Sequence, residues 1–273
     1  MIAAHNRPDE SDSPGGEVLE LWCAYPPELE AESVERACAA VLSDEERENA
    51  SRFLHDRHRR ESIAAHALVR NALAHNHPLP PEAWRFQVNE FGKPAAEPAC
   101  GVQFNLTTCE RLVACLIAHG TEVGVDAEPT ARSKEIAALE EAVFSPAERM
   151  QLKALSGEAR QERALSLWVL KEAYTKARGM GLTLPLPSLS FLFGGEEGIR
   201  LEADLAVDED PSRWRFCLVD YAGHRLAAVA AANHAKTAGA SGEFHLQVME
   251  ARPPIGEPIR VALPREAWFP RSR

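Results

Sequence analysis

The stretch WVLKEAYTKARGMGL, residues 168–182, predicts a long helix that ends at a glycine-rich segment. Trp168, Glu172 and Lys176 follow one another at intervals of four, so they form one stripe along the helix. The apolar residues beside this stripe recur at helical spacing and predict the buried face: Val169, Leu170, Ala173, Tyr174 and Ala177. A carboxylate and an ammonium therefore lie at the edge of the core. A Glu–Lys pair at this spacing is also an ordinary surface pair worth about 0.3–0.5 kcal/mol, so the helix alone does not establish a site.

A short strand, VGVDAEP at 123–129, carries two more carboxylates. Successive side chains of a strand alternate between its faces, so Asp126 and Glu128 share one face and lie about 7 Å apart at their roots. Such a pair suits a hard cation, and Mg²⁺ prefers carboxylate oxygens and completes its shell with substrate phosphates. Alone, the pair is equally typical of a solvated strand end. Together with Glu172 and Lys176 it predicts a magnesium–phosphate site for phosphoryl transfer.

The order of predicted elements repeats along the chain. A strand, helical segments and a small set of strands occur twice, which predicts an α+β fold of two similar halves packed as a pseudo-dimer. Ser43 and Glu46 predict a capping box at the start of one helix, and GTE (120–122) predicts a hairpin that joins strands 111–119 and 123–129. The predicted strands are 18–25, 84–88, 101–106, 111–119, 123–129, 188–193, 198–206, 213–220 and 225–232, and the predicted helical segments are 31–42, 44–75 and 133–179.

Four segments follow from this pattern and from composition. Residues 1–17 are rich in Pro, Ser, Gly and charge and predict a disordered lead-in. Residues 18–122 form the N-terminal α+β half, and 123–232 form the C-terminal half with the metal site. Residues 233–273 are a proline-rich extension whose run 244–251 reads as a strand, either at a sheet edge or mobile.

Composition limits the classes of function. The chain has 273 residues, 45% hydrophobic and 26% charged, as in soluble globular proteins. Its net charge of −11 argues against nucleic-acid binding, although the basic run RFLHDRHRR (52–60) could serve an anionic small ligand. No apolar run reaches membrane-spanning length, and the N-terminus lacks the apolar core of a signal peptide. Six cysteines without C-x-x-C spacing predict free thiols in a cytoplasmic protein.

At this point the motifs match a known family. GVDAEP (124–129), FSPAE (144–148) and WVLKEAYTKARGMGL (168–182), in this order, resemble the motif set of the 4'-phosphopantetheinyl transferases of the larger, surfactin-synthetase-activating type. FGKP (91–94) and FNLT (104–107) match the N-terminal half of the same family. The resemblance covers about residues 18–232. It implies transfer of the phosphopantetheine arm of coenzyme A to a serine of an acyl or peptidyl carrier protein by a magnesium-dependent, monomeric enzyme.

The resemblance also implies roles for individual residues. Asp126, Glu128 and Glu172 would hold magnesium, and Glu172 would act as the base for the acceptor serine. Lys176 would bind the diphosphate of coenzyme A and stabilise charge as the bond breaks. The remaining expected contacts to the nucleotide are Lys93, Thr107, Thr108, Arg59 and Arg60.

The chain departs from the family pattern at two positions. Thr108 stands where the family usually has a histidine that contacts coenzyme A, and Glu61 stands nearest to the usual helix arginine, directly after Arg59 and Arg60. A threonine hydroxyl donates a hydrogen bond but supplies no charge. Two alternatives therefore stay open: a non-catalytic carrier-protein-binding relative of such an enzyme, and an unrelated magnesium-dependent phosphotransferase.

Overall fold

The structure is a computed structural model that describes residues 17–26, 31–194, 198–204, 206–232, 244–252 and 258–261, without the side chain of Leu182. Its helices are α1 (Glu32–Ala39), α2 (Asp44–Ser51), α3 (Asp56–Asn76), α4 (Ser133–Ala137), α5 (Glu140–Val143), α6 (Pro146–Lys153) and α7 (Gly157–Arg178). Its strands are β1 (Glu17–Ala24), β2 (Arg85–Val88), β3 (Pro94–Glu97), β4 (Val102–Cys109), β5 (Leu112–His119), β6 (Val123–Pro129), β7 (Leu189–Gly194), β8 (Gly198–Ala203), β9 (Trp214–Tyr221), β10 (His224–Ala231), β11 (Phe244–Glu250) and β12 (Ile259–Val261).

The two halves share one topology. In the first half β1 pairs antiparallel with β5, which pairs with β4, and β2–β3 is a separate hairpin. In the second half β6 pairs antiparallel with β10, which pairs with β9, and β7–β8 is the separate hairpin. The repeated order confirms the predicted α+β fold of two similar halves.

The molecule has four layers. The two larger sheets pack face to face, and their shared core contains Leu21, Leu116, Val125, Leu226 and other side chains from both halves. The outer face of the first sheet is covered by α3, and that of the second by α7. The long helices are amphipathic for this reason, since each buries one side against a sheet. None of the described helices is long and apolar enough to cross a membrane.

Two predictions of local structure were wrong or incomplete. The hairpin predicted at 120–122 does not form, because β5 already has β4 and β1 on its two sides while β6 pairs with β10. The helix predicted at 44–75 is divided between α2 and α3. The capping box of Ser43 and Glu46 is confirmed at the start of α2, whereas β3 was not predicted.

The C-terminal extension contributes to the sheet of the first half. Strand β11 pairs in parallel with β1, with Leu19 opposite Leu246 and Leu21 opposite Val248. The strand predicted at 244–251 is therefore confirmed. It does not lie at the sheet edge, because β12 pairs with its other side. The lead-in predicted at 1–17 lies outside the described residues, except for Glu17.

Candidate active site

The site lies where β6 meets α7, and Gly124 allows the two to approach closely. A Cβ atom at this position would lie 2.0 Å from the carbonyl oxygen of Ala173 and 2.6 Å from the backbone nitrogen of Ala177. Such distances leave no room for any side chain, and the obstacle is helix backbone. Glycine thus sets the spacing that brings the carboxylates of β6 to the polar stripe of α7.

Asp126 and Lys176 form the centre of the site. The Nζ atom of Lys176 lies 2.6 Å from Oδ1 of Asp126 and donates to the hydroxyl of Thr107 at 3.0 Å. That hydroxyl in turn donates to Oδ1 of Asp126 at 3.1 Å. Burial raises the pKa of the Asp126 carboxyl, and the Lys176 ammonium offsets part of that shift. The structure thus brings together three residues that the sequence had assigned to one site.

Glu128 lies further along the same strand face and is half-buried. Its Oε1 accepts a hydrogen bond from Trp168 Nε1 at 3.2 Å, and its Oε2 accepts one from Arg132 at 2.6 Å. Trp168 packs against the core of the second half. It also fixes the direction of the Glu128 carboxylate, which the sequence did not indicate.

Glu172 differs from the other two carboxylates because none of the described residues donates a hydrogen bond to it. Its side chain is half-buried on α7, between the turns that carry Trp168 and Lys176. Burial raises the pKa of the Glu172 carboxyl, the negative charge of Asp126 raises it further, and Lys176 partly counteracts both effects. An unpaired carboxylate whose neighbours disfavour its charge suits a proton acceptor or a ligand for a cation.

A cleft of about 420 Å³ opens beside this junction, between β6 of the second half and β4 of the first half. Strands β4 and β6 both contribute side chains to the cleft, together with the start of α3. Its lining residues are Arg57, Leu106, Thr107, Thr108, Cys109, Glu110, Asp126, Ala127, Glu128, Pro129, Arg132 and Lys176. Burial raises the pKa of the Cys109 thiol to about 12, so this thiol stays protonated and is no nucleophile.

Three of the cations predicted to contact the nucleotide lie outside this cleft. The ammonium of Lys93 donates to the carbonyl oxygen of Ala177, at the C-terminal end of α7, at 2.6 Å. Arg59 pairs with Glu35 of α1 at 3.0 Å, and Arg60 lies 3.8 Å from the same carboxylate. The predicted contacts that do line the cleft are Thr107, Thr108 and Lys176.

Arg132 is a cleft cation that sequence reasoning missed, and Arg57 is one that it indicated only as part of the basic run 52–60. Arg57 belongs to the basic run 52–60, but residues i and i+2 of a helix point in different directions, and the sequence alone did not fix the helix start. It is exposed and pairs with Glu61 at 3.1 Å. Arg132 follows Glu128 by four residues, a spacing that could have indicated their ion pair.

A complete metal site is not preformed among the described residues, which contain no group of three or more His, Cys, Asp or Glu side chains that could hold a metal ion. Asp126 and Glu128 are instead neutralised by Lys176 and Arg132. The donor set nevertheless fits a hard cation, because each of these carboxylates raises the pKa of Glu172. A divalent cation among them would relieve that repulsion.

Comparison with known proteins shows similarity to one family of enzymes. The family model described as the 4'-phosphopantetheinyl transferase superfamily matches residues 122–230. A 4'-phosphopantetheinyl transferase of Bacillus subtilis is 31% identical over 175 residues, which cover 64% of this chain and 76% of that relative. HetI of a Nostoc species is 31% identical over 53% of this chain and 62% of its own length. Sfp of Bacillus subtilis is 32% identical over 55% of this chain and 66% of its own length.

The match to the family model, over residues 122–230, includes both the carboxylates of β6 and the polar stripe of α7. The chain belongs to the 4'-phosphopantetheinyl transferase family, as the motifs predicted.

Proposed function

We propose that this protein transfers the 4'-phosphopantetheine group of coenzyme A to a serine of an acyl or peptidyl carrier protein, with magnesium as its cofactor. The observation that carries the proposal is the cleft lined by β4, β6 and Lys176 of α7. It combines the carboxylates of Asp126 and Glu128 with the cations of Lys176, Arg57 and Arg132. Glu172 is not among the residues that line the cleft, but its carboxylate lies close enough to Asp126 and Glu128 for their negative charges to raise its pKa.

Asp126, Glu128 and Glu172 are the residues that would hold the magnesium ion, which supplies charge neutralisation for the diphosphate when bound. In the present arrangement Lys176 and Arg132 neutralise two of these carboxylates. With a divalent cation held by those carboxylates, both basic side chains would be available to the phosphate oxygens. Lys176 and Arg132 would thus neutralise carboxylates in the free protein and phosphate oxygens in the substrate complex.

The chemical step needs a proton acceptor and a stabilised leaving group. Glu172 takes the proton of the acceptor serine; burial and the negative charge of Asp126 raise the pKa of its carboxyl, which makes it a stronger base. The serine oxygen attacks the phosphorus nearer the pantetheine, and the bond from that phosphorus to the bridging oxygen breaks. Adenosine 3',5'-bisphosphate leaves with the bonding electrons, and Lys176 stabilises the developing charge.

Mass spectrometry of a panel of apo carrier proteins, incubated with coenzyme A and magnesium, tests this function. We expect a mass increase of one phosphopantetheine group on at least one carrier, lost when EDTA replaces magnesium. Calorimetric titration with coenzyme A accompanies the assay. Binding of coenzyme A without transfer to any carrier would favour the non-catalytic alternative, and neither binding nor transfer would contradict both.

A substitution at Thr108 tests how the cleft holds the nucleotide. Thr108 is exposed in the cleft wall near Arg57, and we expect Thr108→His to tighten coenzyme A by a factor of a few up to about ten. A neutral hydrogen bond contributes about 0.5–1.5 kcal/mol and one to a charged group about 1.5–3. The gain should be larger below pH ~6.5, where imidazole is charged.

Dephospho-coenzyme A, which lacks the 3'-phosphate, is the control ligand for this variant, and calorimetry measures both. We expect no gain for it. An equal effect on both ligands, or none on either, would mean that the strand after Asn105 does not contact that phosphate.

A further inference from the structure

A buried ion pair joins three parts of the second half. Lys171 and Glu148 are both fully buried, and Nζ of Lys171 lies 2.8 Å from Oε2 of Glu148. The same ammonium donates to the carbonyl oxygens of Leu186 and Leu189, at 2.7 and 2.6 Å. Glu148 also closes the capping box at the start of α6, where its Oε2 accepts from the backbone nitrogen of Ser145. We call Glu148 and Lys171 the second clamp.

The first half contains the same arrangement built from different residues. Glu46 closes the capping box of α2, and its Oε2 lies 2.8 Å from Nη2 of Arg70 on the long helix α3. Arg70 donates to the carbonyl oxygens of Pro81 and Trp84, both at 2.9 Å, directly before β2. We call Glu46 and Arg70 the first clamp. In each half, a capping-box glutamate thus binds a cation of the long helix, and that cation binds the chain that leads into the hairpin.

The second clamp, unlike the first, has one residue on the same helix turns as two residues of the candidate active site. Lys171 immediately precedes Glu172 on α7 and lies five residues before Lys176. On its opposite side, this part of the helix contacts Gly124 of β6 without room for adjustment. The clamp therefore fixes the rotation and axial position of the turns that carry the polar stripe. A buried ion pair often adds little to the free energy of unfolding, because both charges lose their hydration. Such a pair can nevertheless favour one conformation of the protein over others.

We propose that Glu148 and Lys171 are positioning residues for the transfer reaction, which hold Glu172 and Lys176 opposite Asp126 while touching no substrate themselves. The inference rests on the proposed function. A displacement of reacting groups on the order of 1 Å lowers rates about 10²-fold. Loss of the second clamp should therefore lower kcat and raise the magnesium concentration that the reaction needs. Loss of the first clamp should lower the stability of the fold without changing either quantity.

Two matched double variants test this difference. Glu148→Gln with Lys171→Met removes both charges of the second clamp, and Glu46→Gln with Arg70→Met makes the same change in the first. We expect the former to lower kcat at least about tenfold and to raise the magnesium concentration for half-maximal rate. The first-clamp double variant should keep kcat and the magnesium concentration for half-maximal rate within about twofold of wild type. We expect this even if its Tm falls by as much as that of the second-clamp double variant.

Milder single variants guard against loss of folding. Glu148→Asp withdraws the carboxylate by one methylene without removing its charge, and Glu46→Asp is its control. Lys171→Arg supplies the cation that the first clamp uses, so we expect it to retain most of the wild-type kcat. Hydrogen exchange should accelerate in residues 171–178 in the second-clamp variants, and these measurements do not depend on activity.

The outcomes separate the two proposals. Wild-type kcat and magnesium dependence in the second-clamp variants would overturn the positioning role, and so would equal losses in both sets of variants. If the wild type transfers nothing to any carrier, the proposed function fails instead. Hydrogen exchange then decides alone whether the second clamp holds this part of α7, and unchanged exchange in residues 171–178 would overturn it.

Discussion

Glu172→Gln should lower the transfer rate by a factor of about 10²–10⁴, the range that a positioned proton acceptor contributes. The substitution preserves shape and removes only the charge and the basic oxygen. It also removes one of the three expected ligands of magnesium. The measurement is kcat at saturating coenzyme A, carrier protein and magnesium, so that weaker metal binding alone does not account for the loss.

The same variant should fold at least as well as wild type. Burial raises the pKa of Glu172 above its value in the unfolded chain, so its ionised form is disfavoured by folding. That penalty is absent at low pH, where the carboxyl is protonated in both states, and it develops as the pH rises above the unfolded value. Removing the charge should leave Tm unchanged or raise it by up to about 3 °C near neutral pH.

Glu162→Gln is the matched control, because Glu162 lies on the same helix but is exposed. We expect it to change neither the rate nor Tm. Near wild-type transfer by Glu172→Gln at saturating magnesium would show that another group accepts the proton. A large fall in Tm would instead indicate a structural role for this carboxylate.

Gly124→Ala should lower both stability and activity, since its new Cβ would lie 2.0 Å from the backbone of α7. Overpacking of a core costs about 1–3 kcal/mol when side chains can adjust. Here the obstacle is a carbonyl oxygen of a helix, so we expect the upper part of that range and a fall in Tm of about 10 °C. The helix has to move away from β6, which separates Lys176 from Asp126.

Gly194→Ala provides the control for this prediction. A Cβ atom at Gly194 would meet no atom of the described residues within 4 Å, and the φ of Gly194 is not in the left-handed region. We expect Tm and kcat of this variant to equal those of wild type. Thermal unfolding and the transfer assay measure both variants, and a Gly124→Ala protein with native Tm would contradict the close approach of β6 and α7.

Long-range pairing is what sequence reasoning did not recover. The sequence suggested that β5 and β6 form a hairpin, because two apolar segments separated by a short turn usually do. In the structure β5 is already paired on both sides, and β6 joins β10, a strand about a hundred residues later. Strand β11 likewise joins β1 from near the other end of the chain. Local periodicity carries no information about such partners.

The motifs were enough to identify the family and the α+β class, and local spacing indicated which carboxylates and which lysine share a face of their element. Alternation along β6 placed Asp126 and Glu128 on one face, and helical spacing placed Glu172 and Lys176 on one stripe. Only the tertiary structure decided which cations reach the cleft. Arg59 is held by Glu35 of α1 and Lys93 by the end of α7, whereas Arg57 and Arg132 line the cleft. These partners come from other elements, so no spacing within one element could have assigned them.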